Sequence, residues 1–177
     1  MPYAVVGYFD KQSALRIKAL WKGMADTNVC DYLSRSDNDP HIKFAMNHTM
    51  DLVKAEKAIL SVTNELSKID IQFKTYSFYP NEKPFVCIDI AVSKPILDLH
   101  SKIQTECDKY GEEDGRGFFE EGIWKPDCQL TVEFDKVRLA SAIDYLSETK
   151  LPFEGTLAQI GVIKFHPAEQ LFSYELK

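Results

Sequence analysis

Cysteine, histidine, glycine and positive charge are all scarce in this chain, and each shortage removes a class of function. Cys30, Cys87, Cys107 and Cys128 lie far apart and form no Cys-x-x-Cys pair, so neither a zinc site nor a disulfide scaffold is expected. Cys87 and Cys128 fall within apolar strand patterns, which points to buried free thiols and a reducing cytoplasm. The histidines are His41, His48, His100 and His166, and none shows metal-ligand spacing, so no metal is expected. No cofactor is expected either, because Gly111, Gly115, Gly117 and Gly122 do not make a dinucleotide fingerprint. Lys plus Arg number 21 against 27 Asp plus Glu, a net charge of −6. Broad, sequence-independent nucleic-acid binding needs a positive footprint and is therefore not expected, whereas a small phosphorylated ligand in a locally positive cleft is compatible. No apolar run approaches membrane-spanning length, so no membrane partner is expected. Met1-Pro2-Tyr3 runs straight into a strand-like segment with no basic leader, consistent with a cytoplasmic location.

What the chain does contain is a second copy of itself. Phe78-Tyr79-Pro80-Asn81-Glu82-Lys83-Pro84-Phe85 recurs 87 residues later as Phe165-His166-Pro167-Ala168-Glu169-Gln170-Leu171-Phe172. The pattern Phe-x-Pro-x-Glu-x-x-Phe is kept. With an offset of 86, Asp39-Pro40-His41-Ile42-Lys43-Phe44 lies over Lys125-Pro126-Asp127-Cys128-Gln129-Leu130.

Hydrophobic spacing predicts a buried strand over 3–9 and a helix over 11–26 with Ile17, Leu20, Trp21 and Met24 on one stripe. A breaker-rich loop over 27–40 follows, then a short strand over 41–46 and a helix over 50–67. Strands over 71–79 and 85–91 are joined by a turn at 80–84. The order then restarts. A helix over 95–109 carries Pro95 in its first turn and Ile96, Ile103 and Cys107 on its buried side. A long acidic loop over 110–126 leads to a strand over 128–134 and a helix capped by Asp135 and ending near Thr149. A hairpin over 156–165 and 171–176 closes the chain. The expected fold class is α+β: two pseudo-symmetric lobes from an internal duplication, mainly antiparallel sheets lining a central cleft, helices outside. The expected organisation is one two-lobed domain over 1–177. Its first copy spans about 1–91 and its second about 85–177, with the strand 85–91 shared.

Strand residues two apart share a face. Ile42 and Phe44 should point to a core and turn His41 and Lys43 the other way. Cys128 and Leu130 do the same for Asp127 and Gln129, with Thr131 continuing the outward row. Lys43 and the Gln129 amide are both donors, so with His41 they can hold a phosphate or another anion. A Lys43–Asp127 ion pair closing the cleft is the plain alternative.

These elements and motifs resemble the two-histidine phosphoesterase superfamily, which includes 2′,5′ RNA ligase-like proteins and cyclic nucleotide phosphodiesterases. The resemblance spans nearly the whole chain. Pro40-His41-Ile42-Lys43-Phe44 is similar to the first His-x-Thr/Ser motif, and Trp124-Lys125-Pro126-Asp127-Cys128-Gln129-Leu130 to the Trp-x-Pro-His-x-Thr-Leu form of the second. The resemblance implies His41 as general acid or base on a 2′,3′-cyclic or 2′–5′ phosphodiester. It implies phosphate contacts from Lys43, Gln129 and Thr131, and Asp127 as an atypical catalytic partner. Three motif positions have changed: Lys43 and Gln129 replace the hydroxyl residues and Asp127 replaces the second histidine. The expected result is a binder of a nucleotide, an RNA end or another phosphorylated small molecule, with weak or absent turnover. An active divergent phosphodiesterase and a non-catalytic interaction protein are the alternatives. Arg35, Arg116 and Trp124 are the expected rim residues. Phe118, Phe119 and Trp124 suggest a lid packed onto the cleft. His48 suits a turn or cap, His100 a packed site, and His166 an exposed turn.

Overall fold

A computed structural model describes residues 2–80, 82–113, 117–132, 134–165 and 168–177, with the backbone alone described at Cys107, Asp108 and Glu113. The expected positions of the Cys107 side chain, of Arg116 and of His166 lie outside the described residues. Strands are β1 (Tyr3–Phe9), β2 (His41–Met50), β3 (Ile69–Tyr79), β4 (Phe85–Ile90), β5 (Gly111–Glu113), β6 (Asp127–Gln129), β7 (Phe153–Lys164) and β8 (Glu169–Glu175). Helices are α1 (Lys11–Asp26), α2 (Tyr32–Arg35), α3 (Leu52–Glu65), α4 (Lys94–Tyr110) and α5 (Leu139–Ser147). The fold class is α+β with antiparallel pairings, as expected.

All eight strands join one hydrogen-bonded sheet in the order β1-β2-β6-β4-β3-β7-β8, with β5 added beside β2 and a further pairing of β1 with β7. The path therefore closes on itself. β7 makes this possible because its first part (Phe153 to Leu157) pairs with β3 and its second part (Leu157 to Lys164) pairs with β1. One half of the sheet holds β2, β1, the end of β7 and β8. The other holds β6, β4, β3 and the start of β7. Helices from the first and second halves of the chain meet: α3 packs beside α4, and α1 beside α5.

Local chemistry explains the element ends. Asp10 caps α1 by accepting from the N–H groups of Gln12 and Ser13, and its second oxygen accepts from Thr156 N–H at 2.8 Å. One carboxylate thus starts a helix and ties it to β7. Asp51 caps α3. His48, expected at a turn or cap, sits exposed within β2, which runs on to Met50 because β5 pairs alongside it. Asp135 accepts from Val137 N–H, but the turn it starts is a 3₁₀ turn over Lys136–Arg138 that leads into α5. The loop over 27–40 contains α2, which its breaker-rich composition hid. The core is continuous through both sheet halves. Phe73 lies at its centre, edge-on to Phe9 at 5.0 Å and stacked on Phe153 at 4.5 Å.

Gly161 in β7 faces Val6 of β1 and Ser173 of β8. A Cβ there would meet the Phe172 carbonyl oxygen at 2.5 Å, a backbone atom that cannot rotate away. Gly161→Ala is expected to destabilise the fold by about 1–3 kcal/mol. Urea unfolding followed by circular dichroism measures this; an unchanged midpoint would show that β8 yields freely.

Candidate functional site

The two motif strands meet at the pair Ile42–Cys128. Ile42 is fully buried and Cys128 is 1% exposed, so this pair points into the core and turns its neighbours to the opposite face. Two indoles then hold the main chain. Trp124 Nε1 donates to the Lys43 carbonyl at 2.9 Å, and Trp21 Nε1 donates to the Gln129 carbonyl at 3.0 Å. Lys43 and Gln129 are equivalent positions of the two copies, so the clamps are matched. Both tryptophans of the sequence are used this way. Trp124 is thus a core residue at 8% exposure, not the rim residue the sequence suggested. Its ring stacks on His100 at 4.1 Å with 2° between planes and leans on Phe44 at 5.4 Å. Gln104 Nε2 adds a bond to the Phe44 carbonyl at 2.6 Å. His100 is packed, as expected. In the acidic loop Phe119 packs against the core while Phe118 is exposed.

The outward residues surround a cavity of about 210 Å³ whose lining includes His41, Lys43, Gln129, Trp21, Tyr32 and Asn38. His41 Nδ1 lies 2.7 Å from the Asp39 carbonyl. A carbonyl only accepts, so Nδ1 carries the proton and the neutral ring keeps its lone pair on Nε2. Burial lowers the His41 pKa, the Lys43 charge lowers it further, and Asp39 offsets part of this, leaving about 4. The ring is therefore neutral at physiological pH. Lys43 Nζ donates to Gln129 Oε1 at 3.0 Å and lies 5.6 Å from the Phe165 ring centre. Holding Oε1 toward the ammonium leaves the Gln129 NH₂ as a donor.

Asp127 belongs to a neighbouring network. Tyr79 Oη donates to Asp127 Oδ2 at 3.1 Å, and Lys125 Nζ lies 4.0 Å from the same oxygen. Lys125 is held by Asp89 at 2.8 Å and Ser77 at 2.6 Å; Asp89 also accepts from Thr75 and Ser77. The expected closure by a Lys43–Asp127 pair is replaced by these two separate sets of contacts. Among the described residues, Asp127 does not line the cavity. Burial raises the Asp127 pKa; the Lys125 charge and the Tyr79 bond hold it back. Tyr79, Lys125 and Asp89 escaped the sequence reading. A lone charge inside Phe85-Val86-Cys87-Ile88-Asp89-Ile90 was the available signal.

Thr131 leaves the outward row. The N–H groups of Leu130 and Thr131 both reach the Val86 carbonyl, at 2.8 and 3.2 Å, the mark of a bulge that breaks two-residue alternation. Thr131 is fully buried and its hydroxyl accepts from Val86 N–H at 2.8 Å, which corrects its expected place at a phosphate. Arg35 pairs with Asp31 at 2.5 Å on the surface and does not line the cavity. Cys87 and Cys128 are buried free thiols, as expected, with burial keeping both protonated. Among the described residues no cluster of His, Cys, Asp and Glu is placed to hold a metal ion, and no helix is long and apolar enough to cross a membrane.

No protein-family model and no curated protein matches the sequence. Solved structures do match in shape. TT0787 of Thermus thermophilus superposes with a TM-score of 0.63 at 10% identity, over 99% of this chain and 98% of that one. LigT of E. coli complexed with 3′-AMP gives 0.61 at 10% identity over 100% and 99%. The MHV ns2 PDE domain gives 0.55 at 15% identity over 99% and 100%. The fold is the LigT-like fold. Within it, this chain brings together His41, Lys43 and Gln129 at one cavity and sets Asp127 beside it.

The His41 environment has a measurable consequence. The unfolded chain takes up a proton near the ordinary value of 6.5, whereas the folded chain resists until about 4. Stability should therefore fall as pH drops through this window and level off below it. Urea titrations at several pH values, with His41→Gln as reference, check this; the variant should lack that part of the slope. A nuclear magnetic resonance midpoint for His41 near 6.5 would contradict the burial argument.

Proposed function

We propose that the cavity between β2 and β6 binds a nucleotide, an RNA end or another phosphorylated small molecule, with two-histidine turnover weak or absent. The observation that carries this reading is the convergence of the Lys43 ammonium, the Gln129 amide and the His41 ring on one cavity. An ammonium and an amide NH₂ are both donors suited to phosphate oxygens. The Nε2 lone pair of His41 can accept a ligand hydroxyl. Solved LigT structures complexed with 3′-AMP, NADP+ and ATP lend support by analogy, since that protein has the same fold.

The low-turnover part rests on proton supply. Acid–base cleavage of a phosphodiester needs a base on one side and an acid on the other. His41 meets the first need. The second motif offers Asp127, which Tyr79 and Lys125 engage away from the cavity. Burial raises its pKa and the Lys125 charge and the Tyr79 bond only hold that rise back, so it is the placement of Asp127, not its charge state, that keeps its proton from the cavity. The buried thiols suit a reducing cytoplasm.

Titrating 3′-AMP and 2′,3′-cyclic AMP while following thermal unfolding tests the proposal. Both ligands should raise the melting temperature, since they bind the folded state selectively. Lys43→Ala and Gln129→Ala should each weaken binding about tenfold, the worth of one charge-assisted contact. 2′,3′-cyclic AMP should persist over hours by chromatography. Rapid hydrolysis lost in both His41→Ala and Asp127→Ala would establish the active phosphodiesterase instead. No melting shift with any ligand would favour the interaction protein.

A further inference from the structure

A second cavity lies on the other side of the Asp39–Pro40 segment. It measures about 310 Å³ and its walls include Tyr8, Lys11, Lys18, Asp39, Gln159 and Gln170. Lys11 and Lys18 stand two turns apart on α1 and both face it. Lys18 Nζ pairs with Asp39 at 2.7 Å, both side chains being about half exposed, whereas Lys11 has no ion pair among the described residues. Ser173 Oγ sits between the two glutamines, donating to Gln159 Oε1 at 3.1 Å and accepting from Gln170 Nε2 at 2.9 Å. That chain of bonds leaves the Gln159 NH₂ and the Gln170 carbonyl for a ligand.

Tyr8 supplies a third donor at the cavity wall. It is 7% exposed, its ring stands edge-on to His41 at 6.0 Å, and its hydroxyl has no hydrogen-bond partner among the described residues. That hydroxyl is not one of the buried unpaired oxygens, which among the described residues are Asn47 Oδ1 and Ser93 Oγ, so it reaches the surface. The side chain forms part of the cavity wall, so the phenol is left to serve whatever occupies the space. Burial, reinforced by the Asp39 charge, keeps its proton on well above the usual range.

We propose that this cavity is a second binding site, taking the phosphate group of a small phosphorylated molecule independently of the β2–β6 cavity. Tyr8 Oη–H, Lys11 Nζ and Gln159 Nε2 are its donors, with Lys18 shared between the ligand and Asp39. Three donors from three elements match an oxyanion with three terminal oxygens.

Inorganic phosphate and AMP are the probes, and side-chain amide resonances are the readout. Both probes should shift the Gln159 and Gln170 signals. Lys11→Ala, an exposed helix position, and Tyr8→Phe, which keeps the ring, should each weaken that response about fivefold or more, the effect of one lost hydrogen bond. Lys43→Ala should leave it unchanged. Three results would overturn the proposal: no shift of Gln159 or Gln170 with either probe, the same affinity in both variants, or loss of the response in Lys43→Ala. Failure of the β2–β6 reading would show separately, as an unmoved Gln129 signal.

Discussion

The site depends on how little backbone pairing joins the two motif strands. β2 and β6 share the pair Ile42–Cys128, too little to fix two strands by itself. β4 holds β6 and β1 holds β2 through their own ladders, and Trp21 and Trp124 add a clamp on each side, their indole N–H groups holding the Gln129 and Lys43 carbonyls. Each bond is worth about 1 kcal/mol net, and each left unmade would strand a carbonyl facing an apolar core at greater cost. The stack of Trp124 on His100 and the bond from Gln104 to Phe44 hold the clamp in turn. Since the indoles grip main-chain atoms, the outward side chains at 41, 43, 127 and 129 set the chemistry without setting the strand positions.

Those four side chains divide into two sets of hydrogen bonds, although the Lys43 charge still acts on Asp127. On one side, His41, Lys43 and Gln129 line a cavity that offers donors and one lone pair. On the other, Asp127 and Asp89 are met by Lys125, Tyr79 and Ser77. Lys125 offsets one of the two negative charges, which lowers their repulsion of an anion next door. A chain with a net charge of −6 can in this way present a positive pocket.

Period-two patterning made the motif strands legible, and the duplication supplied their equivalence. Ile42, Phe44, Cys128 and Leu130 are buried as the alternation requires. Alternation failed at Thr131, where the bulge at Val86 turns the next residue inward. Trp124 was misplaced for a different reason: an amphipathic indole beside a loop suits either a rim or a core, and only its carbonyl partner decides. Tyr8 was invisible because β1 is apolar throughout and a tyrosine there looks like filling. Lys125, Tyr79 and Asp89 come together through the pairings of β3, β4 and β6, contacts that no local pattern records. The helix α2 escaped because four residues are too few to show a period.

β7 belongs to both halves of the sheet. Its 12 residues run without a break from Phe153 beside β3 to Lys164 beside β1, and Leu157, where the partners change, is fully buried. A continuous covalent spine therefore joins the two halves of the sheet, and their spacing is built into chain geometry before any side chain is chosen.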